Sequence, residues 1–291
     1  MTILQAILMG IIQGVTEFLP VSSSGHLAII QNIFHIDTNG GMLFDIMLHV
    51  GTLAAVFVVY RKDIVKMIRE IVGICIDIVS NIKTWFYNHK NDDALRYKRI
   101  IHNNYRKFVV LILVSTIPTG VIGYTAKSLV EAASATLIVP GVCLLLTAVL
   151  LLVADFTEEG TKIPRDVSYS NGFYIGIAQG LATLPGLSRS GTTITACLLS
   201  GFDRRFAVKY SFLMSVPAIL GASVLEIKDA VSEPISGMLV LCCIIGAIIA
   251  GLVGYVCIKT MLLVVRRKKF KGFAIYCAII GVVAIAAHFL I

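Results

Sequence analysis

Long apolar runs recur along this chain, and the polar residues between them fall in two kinds of place: charged loops, and short islands of Pro, Gly and hydroxyl residues inside apolar sequence. A hydrocarbon core about 30 Å thick takes roughly 20 residues of helix to cross. Six runs meet that length, near 42–60, 108–126, 136–154, 207–225, 237–258 and 272–290, and each predicts a transmembrane helix. Two further regions, about 1–36 and 172–201, are pairs of shorter apolar runs around a polar break. Runs of about 10 to 14 residues suit re-entrant segments better than spans, so each of these regions predicts a helical hairpin.

The two breaks repeat each other at a spacing of 166 residues. The first runs from Gln13-Gly14 through Glu17-Phe18-Leu19-Pro20-Val21-Ser22-Ser23-Ser24-Gly25-His26, the second from Gln179-Gly180 through Leu184-Pro185-Gly186-Leu187-Ser188-Arg189-Ser190-Gly191-Thr192. Gln-Gly, Leu-Pro and Ser-x-Ser-Gly keep their order, with Leu-Pro slipped by one position. Phe44–Val56 and Phe212–Val224 give a weaker echo at a similar distance. Broken apolar segments in corresponding halves point to a binding site inside a membrane protein.

Composition agrees, with 57% hydrophobic and 14% charged residues and a mean hydropathy of +0.88, more apolar surface than a soluble domain needs. Met1–Ile12 lacks a basic n-region, so no cleavable signal peptide is expected and the start belongs to the fold. The seven cysteines show no C-x-x-C spacing and read as small buried hydrophobes.

The net charge of +8 raises the question of nucleic acid, but its distribution answers to a membrane. If the loop 61–107 is cytoplasmic, the segments 155–171, 201–206 and 259–271 share its side, and with Lys209 they hold 22 of the 25 Lys and Arg. Positive residues concentrate on the inner side of membrane proteins, so no anionic polymer is required to explain them. The same count makes hairpin one begin and end outside and hairpin two begin and end inside, an inverted-topology repeat. Each half is a hairpin plus three spans, with the tips meeting near the midplane. Drawn as segments of one integral membrane domain over 1–291, repeat one is about 1–126, repeat two about 136–258, and 272–290 a final helix. The fold class expected is an all-α polytopic membrane protein with six transmembrane helices and two re-entrant helical hairpins. Within 61–107, Asp63–Val72 has apolar residues at helical spacing and is expected along the inner interface, while the rest, with Asn88–Arg99 highly polar, reads as a solvated loop.

The candidate chemistry lies in the islands. An arginine near a helix centre in the bilayer costs about 2.5 to 3.5 kcal/mol, so Arg189 needs an anion or a partner. Ser188, Ser190, Thr192 and Thr193 supply hydroxyls around it, and a helix opening at Ser190 or Gly191 would add free N–H groups. A phosphate matches the guanidinium fork; the rival is a structural ion pair with Glu17 closing the two tips. Gln13 and Glu17, four apart, share a helix face. One carboxylate with phosphate oxygens is a usual way to hold Mg²⁺, and Ca²⁺ also takes amide oxygens. Ser22, Ser23, Ser24 and His26 place hydroxyls beside an imidazole, which suits attack on phosphorus; the plainer alternative is a serine-capped turn. His35, His89, His102 and His288 read as bystanders. Asp45 and His49 form another i, i+4 pair, for which capping or a local hydrogen bond is the plainer reading than a part in the site.

The motif Gln13-x-x-x-Glu17 with Phe18–His26, together with Pro185–Thr193, resembles the undecaprenyl-diphosphate phosphatase family of the bacitracin-resistance type, over essentially the whole chain and including Lys259–Tyr276. The resemblance implies a multi-pass enzyme of the bacterial inner (plasma) membrane that removes the terminal phosphate of undecaprenyl diphosphate for cell-wall synthesis, its site open to the outer face. It implies Glu17 as the essential acid, His26 as the essential histidine, Ser23 as the proposed nucleophile and Arg189 as the phosphate-binding arginine; water or His26 itself stays open as nucleophile, and His26 or Glu17 as the base. Ser188, Ser190 and Thr193 match further phosphate contacts, and Ser22, Ser24 and Thr192 join them as candidates. A divalent cation, Mg²⁺ or Ca²⁺, would sit near Glu17 and Gln13. Many members carry Glu where this chain has Gln13, which puts that ligand in question. Whether the chain forms a homodimer stays open. A polyprenyl-phosphate transporter built on the same inverted repeat is the alternative function. A lipid phosphatase with His six residues after its Arg is excluded, because Thr195 stands there.

Overall fold

The computed structural model describes residues 1–33, 41–91, 93–230, 236–266 and 270–290. His35 lies outside the described residues. Twelve helices account for nearly all regular structure among them, with a single isolated bridge between Lys162 and Phe202.

Helices α1 (Ile3–Phe18) and α2 (Ser23–Ile33) form hairpin one, and α8 (Tyr169–Leu181) and α9 (Arg189–Leu199) form hairpin two. The other long apolar helices are α3 (Gly41–Val59), α5 (Asn104–Thr125), α7 (Ile138–Phe156), α10 (Arg204–Ala230), α11 (Gly237–Arg266) and α12 (Lys271–His288). Each overlaps one of the six expected runs. By length and composition α5, α7, α10, α11 and α12 are each able to cross a membrane; α3 qualifies together with α4, from which it is bent by 88°.

Two elements were not anticipated. Helix α6 (Lys127–Ser134) follows α5 directly. Helix α4 (Arg61–Lys90) is far longer than the ten-residue amphipathic stretch expected, and the solvated segment shrinks to the residues after Lys90. The reason is a three-sided pattern kept from Lys62 to Val79. Asp63, Glu70 and Asp77, seven apart, face the start of α5 and α10, where they meet Tyr105 and Lys209, Asn103 and Arg106, and Arg106 respectively. Val65, Ile68, Val72, Ile76 and Val79 stay exposed on another side, and Lys62, Lys66 and Arg69 fall on a third by their spacing.

The halves exchange partners. Helix α1 packs along α11 and α8 along α5, while α7 packs on α12 and α3 on α10. Glycine allows the closest of these approaches: a Cβ on Gly14 would stand 2.8 Å from the Ala250 carbonyl oxygen, and one on Gly176 would stand 2.2 Å from that of Ser115. Small residues serve this purpose between membrane helices, where backbone proximity replaces the hydrophobic drive.

The basic segments gather at one end of the bundle. Lys107 bonds the Arg165 carbonyl, Lys162 the Ser200 carbonyl, Arg204 the Thr157 carbonyl, and the Phe270 N–H bonds Asp155. Hairpin two starts and finishes beside these contacts. Hairpin one finishes beside α6, where Asn32 donates to the Ser134 carbonyl at 3.4 Å. The hairpins therefore approach from different ends and touch at their tips, where Ser190 Oγ donates to the Leu19 carbonyl at 3.3 Å.

Candidate active site

Each tip is a tight turn followed by a serine-capped helix. Ser22 takes φ +70°, a left-handed conformation rare for a residue with a side chain, and its Oγ accepts the Gly25 N–H at 3.3 Å. In hairpin two Gly186 takes φ +91°, and Ser188 Oγ accepts the Gly191 N–H at 3.1 Å. The second hairpin helix thus opens at Arg189, one to two residues earlier than expected, with Ser188 as its cap. Each turn is braced by a span from outside its hairpin: Thr147 of α7 donates to the Gly186 carbonyl and accepts the Ser188 N–H, and Cys277 of α12 contacts the Pro20 carbonyl at 3.7 Å. Gly25 is pressed against Gly186, and a Cβ there would lie 2.7 Å from the Gly186 Cα.

Between the two turns lies Glu17, 6% exposed, near the end of α1. Arg189 donates from Nη2 to its Oε1. Ser23 donates to Oε2 at 2.6 Å, and Gln13 Nε2 donates to the same oxygen at 3.0 Å. Ser23 and Arg189 are the first residues of α2 and α9, so the positive ends of two helix dipoles converge on one carboxylate. Such a place suits a phosphate, because free N–H groups, hydroxyls and a guanidinium surround it.

His26 stands slightly apart. Its Nδ1 is 2.8 Å from the Ser22 carbonyl and its Nε2 2.8 Å from the Tyr276 hydroxyl. A carbonyl only accepts, so Nδ1 carries the proton and Nε2 accepts from Tyr276. The imidazole does not touch Ser23; of the two bases considered for that serine, Glu17 is the one within reach.

The remaining hydroxyls divide. Ser22 and Ser24 are 3.4 Å apart and Ser188 and Ser190 3.3 Å apart, matching pairs at the two helix openings. Thr193 lies deeper: its Oγ1 donates to the Arg189 carbonyl and meets Ser211 Oγ at 2.6 Å, with no exposure. It faces α10, one turn below the tip. Ser188 is 1% exposed and spends its oxygen on the cap. Thr192 Oγ1 is buried without a partner.

Two residues join the site from far along the chain. His49 of α3 lies 3.0 Å from Gln13 Nε2 and 3.6 Å from Glu17 Oε2, while Asp45, one turn earlier, accepts from Gln31. Tyr276 of α12 holds His26. Both sit within apolar spans, where a polar residue among lipid-like neighbours is the available signal.

A divalent cation finds two oxygen donors here, the Glu17 carboxylate and Gln13 Oε1, which is buried with no partner. Among the described residues no three His, Cys, Asp or Glu side chains form a metal-holding group. The donor set fits an ion that takes its other ligands from phosphate and water, as Mg²⁺ commonly does.

Comparison with known proteins decides the family: residues 6–283 match the model of the bacitracin resistance protein BacA. The chain belongs to the BacA family. Its relatives include an undecaprenyl-diphosphatase of Alkaliphilus metalliredigens, 38% identical over 98% of both chains. Those of Methanosphaera stadtmanae and Halothermothrix orenii are 37% and 38% identical, over 97% and 98% of both chains. Such BacA-family similarity from end to end spans both tips and all the spans that brace them.

Proposed function

We infer that this protein is an undecaprenyl-diphosphate phosphatase. It hydrolyses the terminal phosphate of undecaprenyl diphosphate, giving undecaprenyl phosphate and inorganic phosphate, and so returns the lipid carrier to cell-wall synthesis and confers bacitracin resistance. The observation that carries the chemistry is Glu17 bridging Ser23 and Arg189 where two helix N-termini converge.

In the proposed reaction the lipid tail stays in the bilayer and the diphosphate enters the site from the outer face of a bacterial inner membrane. Arg189 turns to the terminal phosphate, joined by Ser24, Ser190 and the free N–H groups of α2 and α9. Ser23 Oγ attacks the terminal phosphorus while Glu17 Oε2 takes its proton. The bridging P–O bond breaks and its electron pair leaves with undecaprenyl phosphate, a stable anion that needs no strong acid. Glu17 releases that proton to solvent as the product leaves; it then draws a proton from water, which attacks the phosphoserine, and as the Ser23 Oγ–P bond breaks to free inorganic phosphate Glu17 returns the proton to Ser23 Oγ. His26 braces the reaction from behind: by holding the Ser22 carbonyl it keeps the left-handed turn that aims Ser23. Phosphoryl transfer asks mainly for positioning and charge stabilisation. A divalent cation, Mg²⁺ or Ca²⁺, held by Glu17 and Gln13 Oε1, would neutralise diphosphate charge. Every group in this scheme comes from one chain, so a homodimer is not required by it. Helix α4 lies along the inner leaflet with its apolar side in lipid; Trp85, the one tryptophan, reports this through quenching by brominated lipid, and unquenched emission refutes it.

Phosphate release from undecaprenyl diphosphate by the detergent-purified protein tests the whole reading. Release must be lost in Ser23→Ala and Arg189→Ala that remain folded. Translocation of lipid across sealed vesicles without any release would instead establish the transporter.

A further inference from the structure

We propose that His49 is a positioning residue for the Glu17–Ser23 pair, acting through the Gln13 amide. The proposal rests on the reading above that Glu17 takes the Ser23 proton. Gln13 is fully buried, and its Nε2 lies 3.0 Å from both Glu17 Oε2 and His49 Nδ1. An amide nitrogen has two hydrogens to give and nothing with which to accept. Glu17, paired with Arg189, is an acceptor and takes one; turned over, the amide would press its own oxygen against the carboxylate. The second hydrogen goes to His49, whose Nδ1 therefore presents its lone pair while the ring proton sits on Nε2. At 3.6 Å the imidazole is beyond hydrogen-bond range of Glu17, so the neutral ring is bonded to the base only by way of Gln13.

A primary amide with both hydrogens committed has one orientation. Glu17 Oε2 is then held between Gln13 and Ser23, at 3.0 and 2.6 Å. Without His49 the amide can turn, and the carboxylate loses the restraint that keeps Oε2 on the serine hydroxyl. His49 sits in the middle of α3, where Thr52 Oγ1 donates to its backbone carbonyl at 2.9 Å. The counterpart amide in hairpin two shows the difference: Gln179 Nε2 donates to Thr119 Oγ1, and Thr183, at the place of Glu17, donates to the Gly180 carbonyl of its own turn. Where no base has to be aimed, the amide is braced by a neighbouring helix alone.

The test compares His49→Leu, which removes the acceptor, with His49→Gln, whose amide oxygen can accept the same hydrogen. Phosphate release by the purified full-length protein gives kcat and KM, and inhibition by inorganic phosphate reports the anion site separately. A misplacement of about 1 Å costs on the order of 10²-fold in rate. His49→Leu should therefore lose kcat by about 10- to 100-fold, with KM and phosphate inhibition nearly unchanged, and His49→Gln should recover most of it. Adding His49→Leu to Gln13→Leu should cost nothing more, since the path through the amide is already gone. A wild-type kcat in His49→Leu overturns the proposal, as does equal loss in His49→Gln or independent, multiplying losses in the double variant. Full activity in Ser23→Ala and Glu17→Gln would instead sink the underlying reading, and shows itself separately.

Discussion

Ser22 in hairpin one and Ser188 in hairpin two have the same task, each accepting an N–H three residues on, at 3.3 and 3.1 Å. Behind each cap a further serine stands at matching distance, and beneath each turn a helix from outside the hairpin supports a carbonyl. The likeness stops one residue past the cap. Hairpin one has Ser23 there, bonded to Glu17; hairpin two has Arg189, bonded to the same Glu17. The acid itself has no twin, because Thr183 occupies its place. One architecture has been used twice, once to carry a nucleophile with its base and once to carry a cation.

The first way to break this comparison is to remove what only one side has. Glu17→Gln should lower kcat about 10³-fold or more, on the scale of losing a central electrostatic group, while Thr183→Ala should stay within about twofold since its bond is local. Phosphate release decides, and comparable losses would end the division of labour.

A smaller effect is expected from the glycines shared by both motifs. In Gly25→Ala the new methyl meets backbone, 2.7 Å from Gly186 Cα, whereas in Gly191→Ala it meets the Ser188 side chain at 3.2 Å. The first should part the tips and cost about 10²-fold in kcat; the second should cost less than a tenth of that in fold-change. The caps come next. Ser188→Gly loses a cap, while Ser22→Gly loses a cap and gains a residue at ease with φ +70°. Thermal unfolding in detergent should therefore show the Ser188 variant the less stable, by roughly 1 kcal/mol.

The smallest effect lies where neither hairpin reaches. The hydrogen bond from Arg106 holds the Asp77 carboxyl below its ordinary pKa. A depressed carboxylate contributes stability above its unfolded pKa and loses it as pH falls through the folded value. Unfolding of the wild type should show a slight loss below about pH 4 that Asp77→Asn lacks, with phosphate release at neutral pH unaltered.

The spans and both hairpins could be read from the chain because lipid leaves a plain signature, about 20 apolar residues, and because Pro and Gly mark the breaks. Glu17, Ser23 and Arg189 were legible too, since a polar residue in such surroundings demands a reason. His49 and Tyr276 were not placed, as their partners lie 36 and 250 residues away. That Thr193 turns toward Ser211 of α10 was not legible, because adjacency to Arg189 cannot tell which side of α9 a hydroxyl takes. The length of α4 was missed because the polar run Asn88–Arg99 suggested a loop, although Asp63, Glu70 and Asp77 recur every seventh position and mark a single docked face.

The Arg189–Glu17 pair also bears on how the reaction ends. With no phosphate present, the guanidinium already has a resident anion, so any incoming phosphate competes for it and its affinity is a difference between two pairings. Inorganic phosphate, having no lipid to hold it in place, has little with which to win that competition. The resident carboxylate thus works as a built-in ejector, and inorganic phosphate should inhibit Glu17→Gln binding of substrate at lower concentration than it inhibits the wild type.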